Sequence, residues 1–343
     1  MKNLLVRSTA LSLWLALALG YASTPAAAQY YYQNYLTSNQ AGHAKNTDTL
    51  LQNGWGLAYA PGSPFWVADT NDGYSTLYNG AGVPQTLQVV IPSASGTGPG
   101  SATGLVYNGS DEFKINGSAS LFLYDTTDGT IQGWSESDPS TSVIAVNNAD
   151  KNAAYVGLAI TSHKSGNFLY AADIGLNQVE MYDGTFKFVK AFGDPTVPKA
   201  FVVGNVQDIN GQLYVAYIAA NGGKGGYIDI FNEAGGFVKR FAEGTPLNQP
   251  WGFAIAPADF GPLSNTLLIV NNTNTGTING FNLKTGTFLG TIENSAKKPI
   301  QINQLWAIEF GGGTANNGKT NELYFTAGPQ NGKNGLFGMI TYK

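Results

Sequence analysis

The sequence predicts an all-β chain folded as a six-bladed β-propeller. Three observations point there. A unit of about 50 residues recurs six times along the chain. Glycine and aromatic residues are frequent while only 12% of residues are charged, a composition that suits short strands joined by tight turns. An aromatic segment near the start matches a strand that the last unit lacks.

Each unit opens on an apolar strand, continues with a second apolar strand that mostly ends in Asp or Asn, and turns through polar or glycine-rich residues into a third. The first reads Trp55-Gly56-Leu57-Ala58-Tyr59, Phe65 to Asp69 and Thr76 to Tyr78. The second reads Thr103-Gly104-Leu105, Leu121 to Asp125 and Gly129 to Trp134, and the third Val156-Gly157-Leu158, Leu169 to Asp173 and Val179 to Tyr182. The fourth is degenerate: Val206-Gln207-Asp208, Leu213 to Tyr217 and Tyr227 to Phe231. The fifth reads Trp251-Gly252-Phe253, Leu268 to Asn272 and Gly276 to Phe281, and the sixth Trp306-Ala307-Ile308, Leu323 to Ala327 and Gly335 to Ile340. Anchored on Gly56, Gly104, Gly157, Gln207, Gly252 and Ala307, the spacings are 48, 53, 50, 45 and 55. Most units also offer a fourth strand, as at Gln85 to Ile91, Ser142 to Val146 and Phe237 to Phe241. Four strands of about five residues with their turns fill such a period.

The sixth unit ends early, because only Thr341, Tyr342 and Lys343 follow Ile340. Tyr30 to Leu36 is the spare strand, and we expect it to complete the last blade and remove an exposed edge. Residues before it read as a signal peptide. Lys2 and Arg7 are basic, Ala10 to Leu19 is an apolar run too short to span a bilayer, and Ala26-Ala27-Ala28 suits cleavage after Ala28. The expected organisation is a signal peptide over 1–28 and one propeller domain over 29–343. The expected location is outside the cytoplasm, secreted or periplasmic, with no transmembrane span in the mature chain.

The chain has no cysteine, so disulfides, thiol chemistry and Cys-ligated metals are excluded. Loss of the leader takes the formal charge from −4 to −6. An acidic chain is poorly suited to neutralising phosphates, so nucleic acid is not an expected partner. Nothing in the repeat requires an oligomer, and a monomer is expected.

Gln249-Pro250-Trp251-Gly252-Phe253-Ala254 with the later Gly276-Thr277-Ile278-Asn279-Gly280-Phe281 resembles the NHL repeat of β-propellers. Asn53 to Ala58, Pro64 to Asp69, Asp128 to Trp134, Leu247 to Gly252, Ala256 to Gly261, Leu323 to Gly328 and Asn334 to Gly338 together resemble a family of secreted bacterial conserved hypothetical proteins with NHL-like propellers. The resemblance implies the fold and export, and it brings no catalytic residues. Where similar proteins often carry an Asn-Phe-Gly-Asp-Gly type turn, this chain has Asn271-Asn272-Thr273-Asn274-Thr275-Gly276.

Oxygen-rich turns supply the candidate site. Asp69, Asp125 and Asp173 end equivalent second strands, and Asn272 belongs to the matching turn of the fifth unit. Asn53, Asn205, Asn248 and Asn303 precede first strands, so all eight are expected on one face, around the channel mouth. Carboxylates and amides there suit Ca²⁺, with Asp69, Asp125 and Asp173 as the metal candidates. Turn chemistry explains the same residues without a ligand, because Asp and Asn bond local backbone. The only histidines, His43 and His163, fall on loops, and no Gly-x-Ser-x-Gly elbow is present, so metal-histidine and triad chemistry are not expected. Trp55, Trp251 and Trp306 occupy equivalent first-strand positions and read as packing between blades. The reading that fits best is a non-enzymatic binding or interaction module for an extracytoplasmic ligand or protein. A Ca²⁺-dependent hydrolase or lactonase, and a surface or matrix protein, are the alternatives. Asp208 is the nearest first-strand counterpart to a lactonase-type metal carboxylate, with Glu309 deeper along its strand.

Overall fold

The computed structural model describes residues 29–163 and 166–343. The expected signal peptide lies outside the described residues. Six blades stand around one axis, each with its first strand innermost; five are four-stranded and antiparallel, and the sixth adds a two-residue parallel strand, Asn46–Thr47, outside its four antiparallel ones. Blade 1 comprises Gly54–Ala58, Phe65–Asp69, Tyr74–Tyr78 and Val89–Val90. Blade 2 comprises Ala102–Tyr107, Phe122–Thr126, Thr130–Trp134 and Val143–Asn147. Blade 3 comprises Tyr155–His163, Gly166–Asp173, Gln178–Asp183 and Phe188–Phe192, and blade 4 Phe201–Asp208, Leu213–Ala219, Gly226–Phe231 and Phe237–Glu243. Blade 5 comprises Pro250–Ile255, Leu267–Asn271, Ile278–Phe281 and Phe288–Thr291. Among the described residues no helix is long and apolar enough to cross a membrane.

Blade 6 takes Leu305–Phe310, Leu323–Ala327 and Leu336–Tyr342 from the end of the chain and its outer strand, Tyr31–Ser38, from the beginning. The expected closing strand is therefore in place. It runs antiparallel to the last strand with Tyr31 opposite Tyr342 and Ser38 opposite Leu336, around a bulge near Leu36. Tyr31 is buried between Phe260 and Tyr342. Its hydroxyl donates to the Phe260 carbonyl at 2.8 Å and accepts from the Leu263 amide at 3.1 Å, both in blade 5.

Strand alternation builds the core. In blade 1 the whole of Phe65–Asp69 is buried. Phe65 and Val67 join the cluster shared with blade 6, while Trp66 and Ala68 join the cluster shared with blade 2. The described residues form six such clusters, one at each junction between neighbouring blades. Successive side chains of a strand point to opposite faces, so each blade is apolar on both sides and needs two neighbours.

The repeat glycines are a close-approach requirement. A Cβ on Gly56 would meet Thr103 and Leu105, one on Gly104 would meet Leu158, one on Gly157 would meet Asn205, and one on Gly252 would meet Trp306 and Ala307. Innermost strands of adjacent blades touch through these positions.

Three features differ from the sequence expectation. Blade 4 sits two residues out of the anchored register: Val206 pairs with Val215 as Leu57 pairs with Val67, which puts Asn205, not Gln207, in the glycine position. The outer strand of blade 1 shrinks from Gln85–Ile91 to Val89–Val90, flanked by Pro84 and Pro92, which lack the amide a ladder needs. Blade 2 carries an extra hairpin, Lys114–Ile115 with Ser118–Ala119, turned by Asn116 (φ 49°) and Gly117 (φ 84°).

Removing the Tyr31 hydroxyl leaves the Leu263 amide without its acceptor, so Tyr31→Phe is expected to cost about 1–3 kcal/mol in urea unfolding. Tyr31→Ala also removes packing on Phe260 and Tyr342 and should cost about 3–5 kcal/mol. Unchanged unfolding midpoints would show that the strand does not close the ring.

Candidate functional site

The site is on the axis, where the six innermost strands meet. Each of these strands carries a register shift near its start. Such bulges interrupt simple alternation and re-aim side chains. The residue before the glycine position is large in three blades, Trp55, Trp251 and Trp306, and small in the others, Thr103, Val156 and Gly204. The three indoles meet one another. Trp55 stacks on Trp306 at 3.5 Å between centroids, and Trp251 stands edge-on to both at 6.2 and 5.8 Å. Trp251 Nε1 donates to the Val156 carbonyl of blade 3 at 3.1 Å, and Trp306 Nε1 donates to Asn53 Oδ1 of blade 1 at 3.1 Å. Packing between blades, as expected, is their role, and its consequence is a plug at one end of the channel.

Beyond the plug lies a cavity of about 430 Å³. Trp251 forms its floor. Its walls run along the C-terminal halves of the innermost strands and include Leu57, Leu105, Leu158, Val206 and Ile308. It therefore opens on the face where first strands turn into second strands, opposite the mouth expected from the sequence. Tyr59, Tyr107, Gln207, Asp208 and Glu309 supply the polar atoms outside the backbone, together with Asn205. Gln207 is fixed by a two-way bond to the backbone of Phe253, its Nε2 donating at 2.8 Å and its Oε1 accepting at 3.2 Å. Asp208 Oδ1 accepts from the Gly211 amide at 2.9 Å. Glu309 lines the cavity wall and is half-buried. Burial raises its carboxyl to about 7, against the opposing effect of the Phe310 amide. The Tyr59 hydroxyl is pushed up to about 12 by burial and by the charge of Glu309.

The residues expected at the mouth are held by the scaffold. Asp69 Oδ2 accepts from Thr76 at 2.7 Å. Asp125 Oδ1 accepts from Thr103 at 2.7 Å and from the Gly104 amide. Asp173 Oδ1 accepts from the Ala154 and Leu176 amides at 2.9 and 3.1 Å. Asn205 Nδ2 donates to the Trp251 carbonyl and Asn272 Nδ2 to the Leu305 carbonyl, each at 2.8 Å, and each ties its blade to the next. Asn303 bonds the backbone of Asn274 and Gln330, and the Asn248 amide donates to Asn271. Asp69, Asp125 and Asp173 are fully buried in separate blades, each with one oxygen that has no hydrogen-bond partner. They do not share a donor set: among the described residues no three His, Asp or Glu side chains stand close enough to hold a metal ion. His43 is exposed on its loop. The side chain of His163 lies outside the described residues.

No protein-family model matches the sequence. The uncharacterised protein R648 of Acanthamoeba polyphaga mimivirus is 30% identical over 333 residues, 90% of this chain and 79% of R648. The chain belongs to the R648 family. Another mimivirus protein, L690, is 29% identical over 329 residues, 90% of this chain and 84% of its own length. Among solved structures, virginiamycin B lyase from Staphylococcus aureus superposes with a TM-score of 0.52 at 11% identity, over 91% of this chain and 99% of the lyase. A luciferin-regenerating enzyme gives 0.54 at 12% identity, over 84% of this chain and 91% of the enzyme. At these identities the likeness shows that the R648-family chain shares their fold, and nothing about chemistry.

Sequence reasoning placed Asp208 and Glu309 only as distant metal counterparts and passed over Tyr59, Tyr107 and Gln207. The signal that was available is the recurrence of Trp before the glycine position on three units, which marks the residues nearest the axis.

Buried carboxyls give this R648-family propeller a distinctive pH response. Burial is the first cause in each case: Asp72 rises to about 7, Asp125 to about 6 and Glu309 to about 7, while Asp69 rises well above its ordinary value, with Asp72 as a further cause. The folded state then holds protons that the unfolded chain has released. Stability is fully present below the ordinary carboxyl range, near pH 4, and declines as pH rises toward about 7. The melting temperature should fall between about pH 5 and pH 8, and Asp72→Asn and Glu309→Gln should each flatten that slope. A melting temperature that rises across this window would contradict the assignment.

Proposed function

We propose that this protein is an exported, non-enzymatic binding module that holds a small ligand in the axial cavity. The observation that carries the reading is the cavity itself. It has the size of a small-molecule site, it is stopped by three packed indoles, and its apolar walls surround a few fixed polar groups. The lining supports binding through its few anchored polar groups, Gln207 held by Phe253 and Asp208 by Gly211, set among apolar side chains. The leader-like residues 1–28 support export.

A neutral fluorescent probe, N-phenyl-1-naphthylamine, tests the reading on the mature chain. We expect saturable binding with enhanced probe emission and quenching of tryptophan fluorescence, because Trp251 is the cavity floor. Ala58→Phe enlarges a lining residue that also packs on the core between blades 1 and 2; it should abolish binding, and far-ultraviolet circular dichroism reports whether the variant folds. Should that variant unfold, protection of wild-type tryptophan from acrylamide by the probe decides the matter. Lack of saturable binding to the wild type, or equal binding to a folded Ala58→Phe, would overturn the proposal.

A further inference from the structure

Every ionisable acid or base on the cavity wall is acidic or phenolic. Asp208 comes from blade 4, Glu309 from blade 6, and Tyr59 and Tyr107 from blades 1 and 2, while no Lys, Arg or His is among the described lining residues. The other polar side chains of the wall are the amides of Asn205 and Gln207, and the rest of it is apolar. We infer that the cavity selects an organic cation, an amine carried on a compact apolar or aromatic body, with the Glu309 carboxylate as its counter-charge. The inference rests on the axial cavity being the ligand site and names the class of ligand that the site takes.

Three physical arguments converge. A carboxylate partly withdrawn from water, as the half-buried Glu309 is, loses hydration, and a paired opposite charge offsets that loss. At Glu309 the Phe310 amide is the group that favours the charged form, and burial opposes it. A ligand ammonium would supply the missing partner. An anionic ligand, by contrast, would set like charges together where screening by water is weak. The ring-bearing residues suit the same ligand class: Tyr59, Tyr107 and Trp251 line the cavity, and aromatic faces attract desolvated ammonium groups. Trp251 is also immobilised, by its bond to Val156 and by the two other indoles, so the aromatic floor is preorganised. Asp208 ends its innermost strand and is anchored by the Gly211 amide of the following turn, whereas Glu309 is set inside Leu305–Phe310.

Three probes of matched size separate charge from shape: 2-phenylethylamine, 2-phenylethanol and phenylacetate, titrated calorimetrically into the mature chain near pH 8. The amine should bind at least about tenfold tighter than the alcohol, equivalent to about 1.4 kcal/mol, and phenylacetate should bind more weakly than the alcohol. Glu309→Gln should bring the amine and the alcohol to within about threefold of each other. Equal binding of amine and alcohol to the wild type would overturn the charge selection and leave the cavity as a ligand site. An amine preference that survives in Glu309→Gln would overturn the role of Glu309. Failure of all three probes together with N-phenyl-1-naphthylamine would overturn the cavity reading itself. The wild-type comparison holds whether or not the variant folds.

Discussion

Two-sided burial of the blades is the constraint on which the rest of the structure depends. A strand such as Phe65–Asp69 sends alternate side chains to opposite neighbours, so no blade can cover its own apolar surface. An open row of such blades would leave an uncovered face at each end. The ring resolves this, and it obliges the beginning of the chain to meet its end. Tyr31–Ser38 does so twice over, by the ladder to Leu336–Tyr342 and by the Tyr31 hydroxyl reaching across to blade 5. One strand therefore ties the last blade internally and fastens it to its neighbour.

Closing six blades also decides what happens on the axis. Innermost strands must approach closely, which explains glycine at positions 56, 104, 157 and 252. Where blade 4 has Asn205 instead, the side chain reaches the Trp251 carbonyl and becomes a tie to blade 5. Three tryptophans and three small residues share the slot beside these positions, and the indoles fill one end of the channel while the other end stays hollow. The Asp and Asn residues of the opposite face lock turns and link blades. Stability devices thus occupy one face, and the hollow end of the channel lies on the other.

Much of this was legible in the sequence because repetition multiplies a weak signal. The six units, the short sixth copy and the tyrosine-rich closing strand all follow from period and composition. What was not legible has local causes. The degenerate fourth copy lacks the glycine that marks the register in its neighbours, and its strand sits two residues from the position that the repeat spacing implies. Asn116-Gly117 is a strong hairpin turn, yet it lies inside a unit and adds strands that the repeat does not require. The site was harder. A bulge in every innermost strand breaks the alternation from which one would count toward the axis, so the sequence could not say that Glu309 faces a cavity or that Asp69 is buried. Polar turn residues announce themselves in a sequence whether they bind a ligand or their own backbone.

The central claim is that closure makes the six blades one interdependent unit. Hydrogen exchange resolved by peptide tests it most directly. Amides of residues 31–38 and 336–342 should be as protected as the buried strands of blades 3 and 4, and all should open together as denaturant is added. Rapid exchange of residues 31–38 while the other blades stay protected would contradict the account.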